Sequence, residues 1–190
     1  MLGRMRDGTK GIFCVESLWN GRLSGERQSV RPLLDLLHTT RDTRFVHLTC
    51  NTIAELEFNL RSLRRYPRFG ILYLAFHGTN GAIHMADGSR LDVEGLADLV
   101  GDSLDGWVAH FASCSTLRAS TDLAAFLRTT GAAIATGYTR TVDWIDGAAM
   151  DLLVLDWARE YTYTRPYLER LTTTYGGLAE STGFAAYERP

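Results

Sequence analysis

The stretch "ILYLAFHG", residues 71–78, decides the fold class of this chain. Its first six residues are mostly apolar and do not alternate with polar ones, a pattern typical of a strand that is buried on both faces of a parallel sheet. Residues 107–114, "WVAHFASC", and residues 132–138, "AAIATGY", repeat the pattern. Because parallel neighbours need a long crossover, usually a helix, we expect helices between these strands.

Working outward from these stretches, the chain alternates strand and helix. The predicted strands are 11–17, 43–50, 70–76, 107–113 and 132–138, and the predicted helices are 29–40, 51–65, 91–101, 120–131 and 142–161. Ser29 is expected to cap the first helix, Thr52 and Glu55 form a capping box for the second, and Asp87-Gly88 favours a hairpin turn. The remainder, residues 161–190, is expected to be helical.

Strands that are separated by helices and apolar on both faces indicate an α/β protein. We predict a three-layer α/β/α sandwich with a mainly parallel sheet, built as a single domain over residues 1–190. In such a sheet, ligands bind outside the carboxyl ends of the strands.

Composition limits the possible functions. The 190 residues carry a formal net charge of −2, which provides no basic surface for nucleic acid or for a membrane. The three cysteines have no paired spacing, which argues against disulfides and a structural zinc site and favours a reduced, cytoplasmic protein. No glycine loop for phosphate and no metal-ligand spacing occurs, so we expect no cofactor and no metal.

Two reactive side chains follow two of the apolar strands. His77 comes directly after the strand at 70–76, and Cys114 directly after the strand at 107–113. If these strands are neighbours, their ends lie about 4.8 Å apart, and the imidazole can take or hold the thiol proton. The alternative is that Cys114 is a small core residue and His77 a loop residue.

His110 is expected to be a hydrogen-bonded core histidine, and Cys14 and Cys50 inert core thiols.

The residues "FHG…DGSRLDVEGLADLV…HFASCST" resemble the caspase-like clan of cysteine peptidases (clan CD), and most nearly its CHAT branch, which includes relatives of separase. In that clan the histidine precedes the cysteine, as here, where the separation is 37 residues. The resemblance covers roughly residues 10–160. The segments "GIFCVESLWNG" and "GYTRTVDWIDGAAM" add a likeness to a bacterial family of small caspase-fold proteins with no settled function.

The resemblance implies a cysteine endopeptidase with a His77–Cys114 dyad and an oxyanion hole made by the backbone N–H groups of Gly78 and Cys114. It also implies a pocket for P1, the substrate residue before the scissile bond, at the ends of the first and fifth strands. The residues expected to bind substrate there are Glu16, Tyr138, Asp143 and Asp146. An aspartate in this region implies a basic P1 residue, although Asp143 can instead cap the following helix. The competing specificity is an acidic P1 residue bound by Arg22 or Arg140.

Two other functions remain open from the sequence. The chain can be a catalytically idle interaction module of the same fold, or a thiol hydrolase that acts on a small molecule, since fold alone does not fix function. For the endopeptidase, the expected partners are a protein or peptide substrate and a regulatory partner protein, because a free cytoplasmic endopeptidase would damage its host.

Overall fold

The computed structural model describes residues 3–20, 28–118 and 122–190. Within these ranges the chain forms nine strands. They are β1 (Gly11–Glu16), β2 (Phe45–Thr49), β3 (Phe69–Ala75), β4 (His77–Thr79), β5 (Ala82–His84), β6 (Arg90–Asp92), β7 (Val108–Ala112), β8 (Ile134–Tyr138) and β9 (Phe184–Glu188).

The same ranges contain seven α-helices and one short 3₁₀ turn at Leu63–Arg65. The helices are α1 (Arg31–Arg41), α2 (Ile53–Leu60), α3 (Val93–Val100), α4 (Leu123–Thr130), α5 (Trp144–Ala158), α6 (Thr164–Thr174) and α7 (Gly176–Thr182). No helix in the described part of the chain is long and apolar enough to cross a bilayer.

Six strands form one sheet in the order β2-β1-β3-β7-β8-β9, and all neighbours are parallel except β8 and β9. Alternate residues of each central strand enter two separate apolar clusters. One cluster lies under α2, α3 and α4, and the other under α1, α5, α6 and α7. The molecule is therefore a three-layer α/β/α sandwich, as the continuous apolar strands predict.

The chain runs from β1 outward to β2 and then returns to place β3 on the other side of β1. This reversal puts a crevice at the carboxyl ends of β1 and β3, where an open α/β sheet binds its ligands. The segments that follow β1, β3, β7 and β8 all meet at this edge, and they position the site described below.

Several predicted boundaries are corrected by the structure. The first helix begins at Arg31, and its N-cap is Val30, not Ser29. The Ser29 hydroxyl instead donates to Glu16 and accepts from the Arg31 N–H. Thr52 caps α2 as expected, with its side chain accepting from the Glu55 N–H. The predicted helix 120–131 begins at Leu123 after an Asp122 cap, and Ser120 lies outside the described residues.

Two strand pairings were not predicted. The residues after β3 form a small antiparallel sheet, β4-β5-β6, which contains the hairpin expected at Asp87-Gly88. The expectation that residues 161–190 are helical is wrong at their end, because β9 pairs antiparallel with β8 along the edge of the main sheet. The local signal for this strand is mixed, because Phe184 and Tyr187 favour a strand whereas the alanines at 185 and 186 do not.

Candidate active site

His77 and Cys114 are brought together by the pairing of β3 with β7. These two strands are parallel neighbours with Ala75 opposite Ala112, so the chain segments that follow them leave the sheet side by side. Both residues line one cavity of about 200 Å³. The sequence-based expectation that the two residues share one edge of the sheet therefore agrees with the structure.

The orientation of His77 is set by a backbone carbonyl. Its Nε2 lies 2.7 Å from the carbonyl oxygen of Trp19. Because a carbonyl only accepts hydrogen bonds, Nε2 carries the proton and Nδ1 is the nitrogen that remains for proton exchange. The Trp19 ring contacts the His77 ring edge-on at 5.1 Å between centroids, and it contacts Trp144 in the same way at 4.8 Å.

The Cys114 thiol is half-buried and contacts the segment after β8. The Val142 N–H donates to Cys114 Sγ at 3.5 Å, and Sγ lies 4.0 Å from the Val142 carbonyl oxygen. Within the described ranges no hydrogen bond joins Sγ to His77. Ser115 has a φ of 56°, and such left-handed non-glycine residues concentrate at functional sites.

Gly78 packs directly against the Cys114 segment. A Cβ at residue 78 would lie 2.5 Å from Thr116 Oγ1 and 2.7 Å from the Cys114 carbonyl oxygen. The absent side chain thus allows the two segments to approach each other. In the described part of the chain, no backbone carbonyl accepts a hydrogen bond from the Cys114 N–H.

Only two of the four residues expected to bind substrate line the cavity. Tyr138 and Asp143 line the cavity, whereas Asp146 and Glu16 are not among the described residues that line it. Asp143 also caps α5, because its Oδ1 accepts from the N–H groups of Ile145 and Asp146. Asp146 is exposed on the first turn of α5.

Glu16 lies behind the wall of the cavity. It is only 4% exposed. Its Oε1 accepts from Trp19 Nε1 at 2.6 Å and from the Val30 N–H at 2.8 Å, and its Oε2 accepts from Ser29 Oγ at 2.7 Å and lies 2.6 Å from His47 Nε2. Burial alone would raise the pKa of the Glu16 carboxyl, but the hydrogen bonds from His47, Ser29, Trp19 and Val30 outweigh it and lower the pKa.

Sequence reasoning missed Asp151, which lines the cavity and is 4% exposed. Its carboxylate accepts hydrogen bonds from the hydroxyls of Tyr73 and Tyr138, and its Oδ1 lies 2.7 Å from His110 Nε2. Burial and the neighbouring Asp151 charge raise the pKa of both tyrosines well above the ordinary value, so both stay protonated. His110 is a hydrogen-bonded core residue, as predicted. The position of Asp151 in the middle of an apolar helix was the available signal.

The two remaining cysteines are buried and not in the cavity. Burial raises the pKa of both thiols, and in Cys14 the nearby Glu16 charge adds to this effect, which fits the expectation of inert thiols. Among the described residues, no group of three or more His, Cys, Asp or Glu side chains is arranged to hold a metal ion.

Comparison with solved structures identifies the class of fold. The initiator caspase Dronc from Drosophila superposes with a TM-score of 0.59 over 100% of this chain and 82% of that chain, at 10% sequence identity. At this identity the likeness concerns the fold alone. The protein has a caspase-like α/β fold with a mainly parallel six-stranded sheet.

The chain belongs to the family of unknown function DUF6642, whose profile matches residues 9–188. A search of curated proteins gave no match. The resemblance to the CHAT branch stays a prediction from the motifs.

Proposed function

We propose that this protein is a cysteine endopeptidase in which Cys114 is the nucleophile and His77 the acid and base. The observation that carries the proposal is the placement of both side chains at the adjoining ends of β3 and β7, on one cavity. A thiol and an imidazole in this arrangement are the groups that acyl transfer needs. The caspase-like fold agrees with this assignment but does not by itself establish activity.

The chemistry follows from the atoms present. His77 Nδ1 takes the proton of the Cys114 thiol, and Cys114 Sγ forms a bond to the scissile carbonyl carbon. The oxyanion that results accepts hydrogen bonds from the backbone N–H groups of Cys114 and Gly78. The C–N bond then breaks while His77 returns the proton to the leaving amine. Water attacks the thioester and gives a proton to His77, the C–S bond breaks, and the carboxylic acid leaves with the thiol restored.

The size of the cavity favours a polymer substrate over a small molecule. Its volume of about 200 Å³ is below the roughly 300–1,000 Å³ of sites that enclose a whole small ligand. It is suited to a single side chain of a longer substrate that lies across the surface. This observation favours an endopeptidase over the small-molecule thiol hydrolase that the sequence left open.

We propose that the P1 residue is basic and that Asp151, rather than Asp143 or Asp146, receives it. The described lining contains two carboxylates, Asp143 and Asp151, and no lysine or arginine. Arg140 is exposed and is not part of that lining, and Arg22 lies outside the described residues. Three hydrogen bonds occupy Asp151, and a carboxylate has about four acceptor positions, so one remains for a guanidinium or ammonium group.

The dyad is tested by turnover of the purified protein on an unstructured protein substrate and on fluorogenic peptides. Cys114→Ala and His77→Ala should each abolish turnover, while the circular dichroism spectrum stays that of the wild type. A peptide acyloxymethyl ketone should label Cys114 and should not label the Cys114→Ala variant. Wild-type activity in the Cys114→Ala variant would refute the mechanism, and labelling by iodoacetamide but not by the peptide reagent would favour the small-molecule hydrolase.

The P1 assignment is tested with peptides that carry Arg, Lys, Asp or Leu at P1. We expect cleavage after Arg or Lys, and Asp151→Asn should lower kcat/KM for these peptides by well over tenfold, since loss of a buried charge partner costs about 2–5 kcal/mol. Asp146→Ala is the control and should cleave normally. Cleavage after Asp alone, or normal Arg cleavage by Asp151→Asn, would overturn the assignment.

The proposed partners follow from the same site. The substrate is a protein or peptide, and the net charge of −2 makes nucleic acid a poor partner. We propose that a separate protein or an assembly step controls the activity. High basal turnover of unstructured proteins by the purified monomer would contradict external control.

A further inference from the structure

Glu16 carries four hydrogen bonds, and a carboxylate offers about four acceptor positions. Two donors reach Oε1 and two groups lie on Oε2, all within 2.8 Å. No position is left for a substrate cation, and the residue is only 4% exposed. The carboxylate therefore acts on the protein itself and not on a ligand.

The groups that Glu16 holds are parts of the cavity wall. Trp19, Ser29 and Val30 all line the cavity, and they come from two segments that lie ten residues apart in the sequence. His47 joins from the neighbouring strand β2 and is 14% exposed at its side chain. One carboxylate at the end of β1 thus fixes both segments to the sheet.

The link to His77 runs through Trp19. Its indole N–H donates to Glu16, its carbonyl accepts from His77 Nε2, and its ring packs against the imidazole. The backbone before it is held by a second contact, from the Leu18 N–H to Asn51 Oδ1 at 3.2 Å. Glu16 restrains the indole side of this turn, and Asn51 restrains the backbone side.

We propose that Glu16 is a positioning residue that, through Trp19, holds His77 with its Nε2–H turned to the Trp19 carbonyl and leaves Nδ1 for the Cys114 thiol. The claim about catalysis rests on the proposed peptidase function, but the claim about the state of His77 does not. Glu16 does not touch the reacting atoms. Without its carboxylate, Trp19 loses the acceptor of its indole N–H, and the carbonyl that selects the imidazole tautomer loses the restraint from Glu16 while it keeps the one from Asn51.

The first test measures His77 in the full-length protein, without substrate. Nitrogen NMR records the side-chain signals of the histidines, and the signal that disappears in His77→Gln belongs to His77. In the wild type this signal should show the Nε2–H tautomer. Trp19→Phe keeps an aromatic ring and the backbone carbonyl but removes the N–H donor to Glu16, and Glu16→Ala removes the carboxylate. Both variants should show a mixture of tautomers. Glu169→Ala, which removes an exposed carboxylate on α6, should give the wild-type spectrum.

The second test measures the pH dependence of Cys114 alkylation by iodoacetamide, with Cys114→Ala as the background. The profile should shift in Glu16→Ala and Trp19→Phe and stay unchanged in Glu169→Ala. If the protein cleaves peptides, kcat should fall by about 10- to 100-fold in the two variants, as small misplacements of catalytic groups do, with KM within about threefold.

The outcomes separate the two proposals. If the wild type cleaves no peptide, the peptidase proposal fails, and the NMR and alkylation results still decide the role of Glu16. If both variants are folded and keep the wild-type tautomer and alkylation profile, the role of Glu16 is wrong even in an active peptidase. If Glu16→Ala does not fold, Trp19→Phe decides by itself.

Discussion

Gly78 shows how one missing side chain holds the candidate site together. The residue lies next to His77 and contacts the segment that carries Cys114, with no room for a Cβ between Thr116 Oγ1 and the Cys114 carbonyl oxygen. The nearest obstacles include backbone, which cannot rotate away as the end of a side chain can. The identity of this glycine is therefore set by packing as well as by any role in binding an oxyanion.

Gly78→Ala should move the Cys114 segment away from His77. We expect a loss of about 1–3 kcal/mol in the free energy of unfolding, as in other overpacked sites, and a lower rate of Cys114 alkylation. The matched control is Gly177→Ala, since nothing lies within 4 Å of a Cβ there. Denaturant unfolding measures both variants, and equal stability of the two would contradict the close packing at residue 78.

Lys10 is a buried cation just before β1, at the end of that strand away from the site. It is 2% exposed, its Nζ donates to the Tyr161 carbonyl oxygen at 2.7 Å, and burial lowers its pKa from 10.5 to about 8, partly opposed by Asp7. Below about pH 8 the folded state therefore bears the full cost of a buried charge. Between about 8 and 10.5 the unfolded chain binds more protons, so this group favours folding more as the pH rises.

Lys10→Met removes this titration, together with the hydrogen bonds from Nζ to the carbonyl oxygens of Gly8, Arg159 and Tyr161. The stability of the wild type relative to Lys10→Met should rise between about pH 7 and about pH 10, by roughly 1–3 kcal/mol. Subtraction of the two proteins cancels the buried tyrosines and cysteines that also titrate in this range. Denaturant unfolding at both pH values measures the difference, and a difference that does not change with pH would contradict the lowered pKa.

The helix α5 serves both the fold and the cavity. Its N-cap, Asp143, and its inward residues Gly147, Ala148 and Asp151 line the cavity, while Val154 and Leu155 enter the core. The residue just before the cap, Val142, donates its N–H to Cys114 Sγ. The start of this helix therefore fixes the environment of the thiol.

Asp143→Ala should cost about 1 kcal/mol in the free energy of unfolding, because the first N–H groups of the helix lose their acceptor. Asp143→Asn should restore most of it, since an amide oxygen also caps. Asp146→Ala, which removes an exposed acid from the same turn, should change stability by no more than about 0.5 kcal/mol. If the Asn variant is stable but cannot cleave after Arg, Asp143 is the acid of the P1 pocket and the assignment to Asp151 is wrong.

The complete sheet places four loops at one edge. Secondary structure packs into the core both before and after Cys114, and this bears on whether the chain has to be cut before it can act. Between Cys114 and β8 the described chain contains α4, which buries Leu123, Phe126 and Leu127 in the core. A cut in such a helix would separate residues that pack together. We therefore expect the protein to act as one uncleaved chain, unlike caspases that are cut after the catalytic cysteine.

Intact mass spectrometry of protein labelled at Cys114 by an active-site reagent tests this expectation. The labelled species should have the mass of the full chain plus the label. Two fragments from a cut between 115 and 131 would contradict it. The control is the Cys114→Ala variant, which should keep its own full-chain mass, without label, after the same incubation.

The sequence determines the features that depend on local pattern. Continuous apolar strands followed closely by His77 and Cys114 predicted the parallel sheet, the three layers and the shared edge, because the side-chain pattern of a strand and the order of the elements can be read from the sequence itself. The predicted helices are present, and all of them begin two or three residues later than predicted, since terminal turns depend on which cap is used. Ser29 is the example, because the sequence cannot show that Glu16 takes its hydroxyl.

Only the tertiary structure decided which polar groups meet. Asp151 accepts a hydrogen bond from Tyr73, which is 78 residues away in the sequence, and Glu16 contacts His47, which is 31 residues away. The value of a buried carboxylate depends on the donors that surround it, and those donors come from other strands and helices. The same holds for β9, whose weak local preference for a strand is resolved by the open edge of β8. Contacts between residues far apart in the sequence thus give the two buried carboxylates different roles. Asp151 faces the cavity, and Glu16 supports the cavity wall.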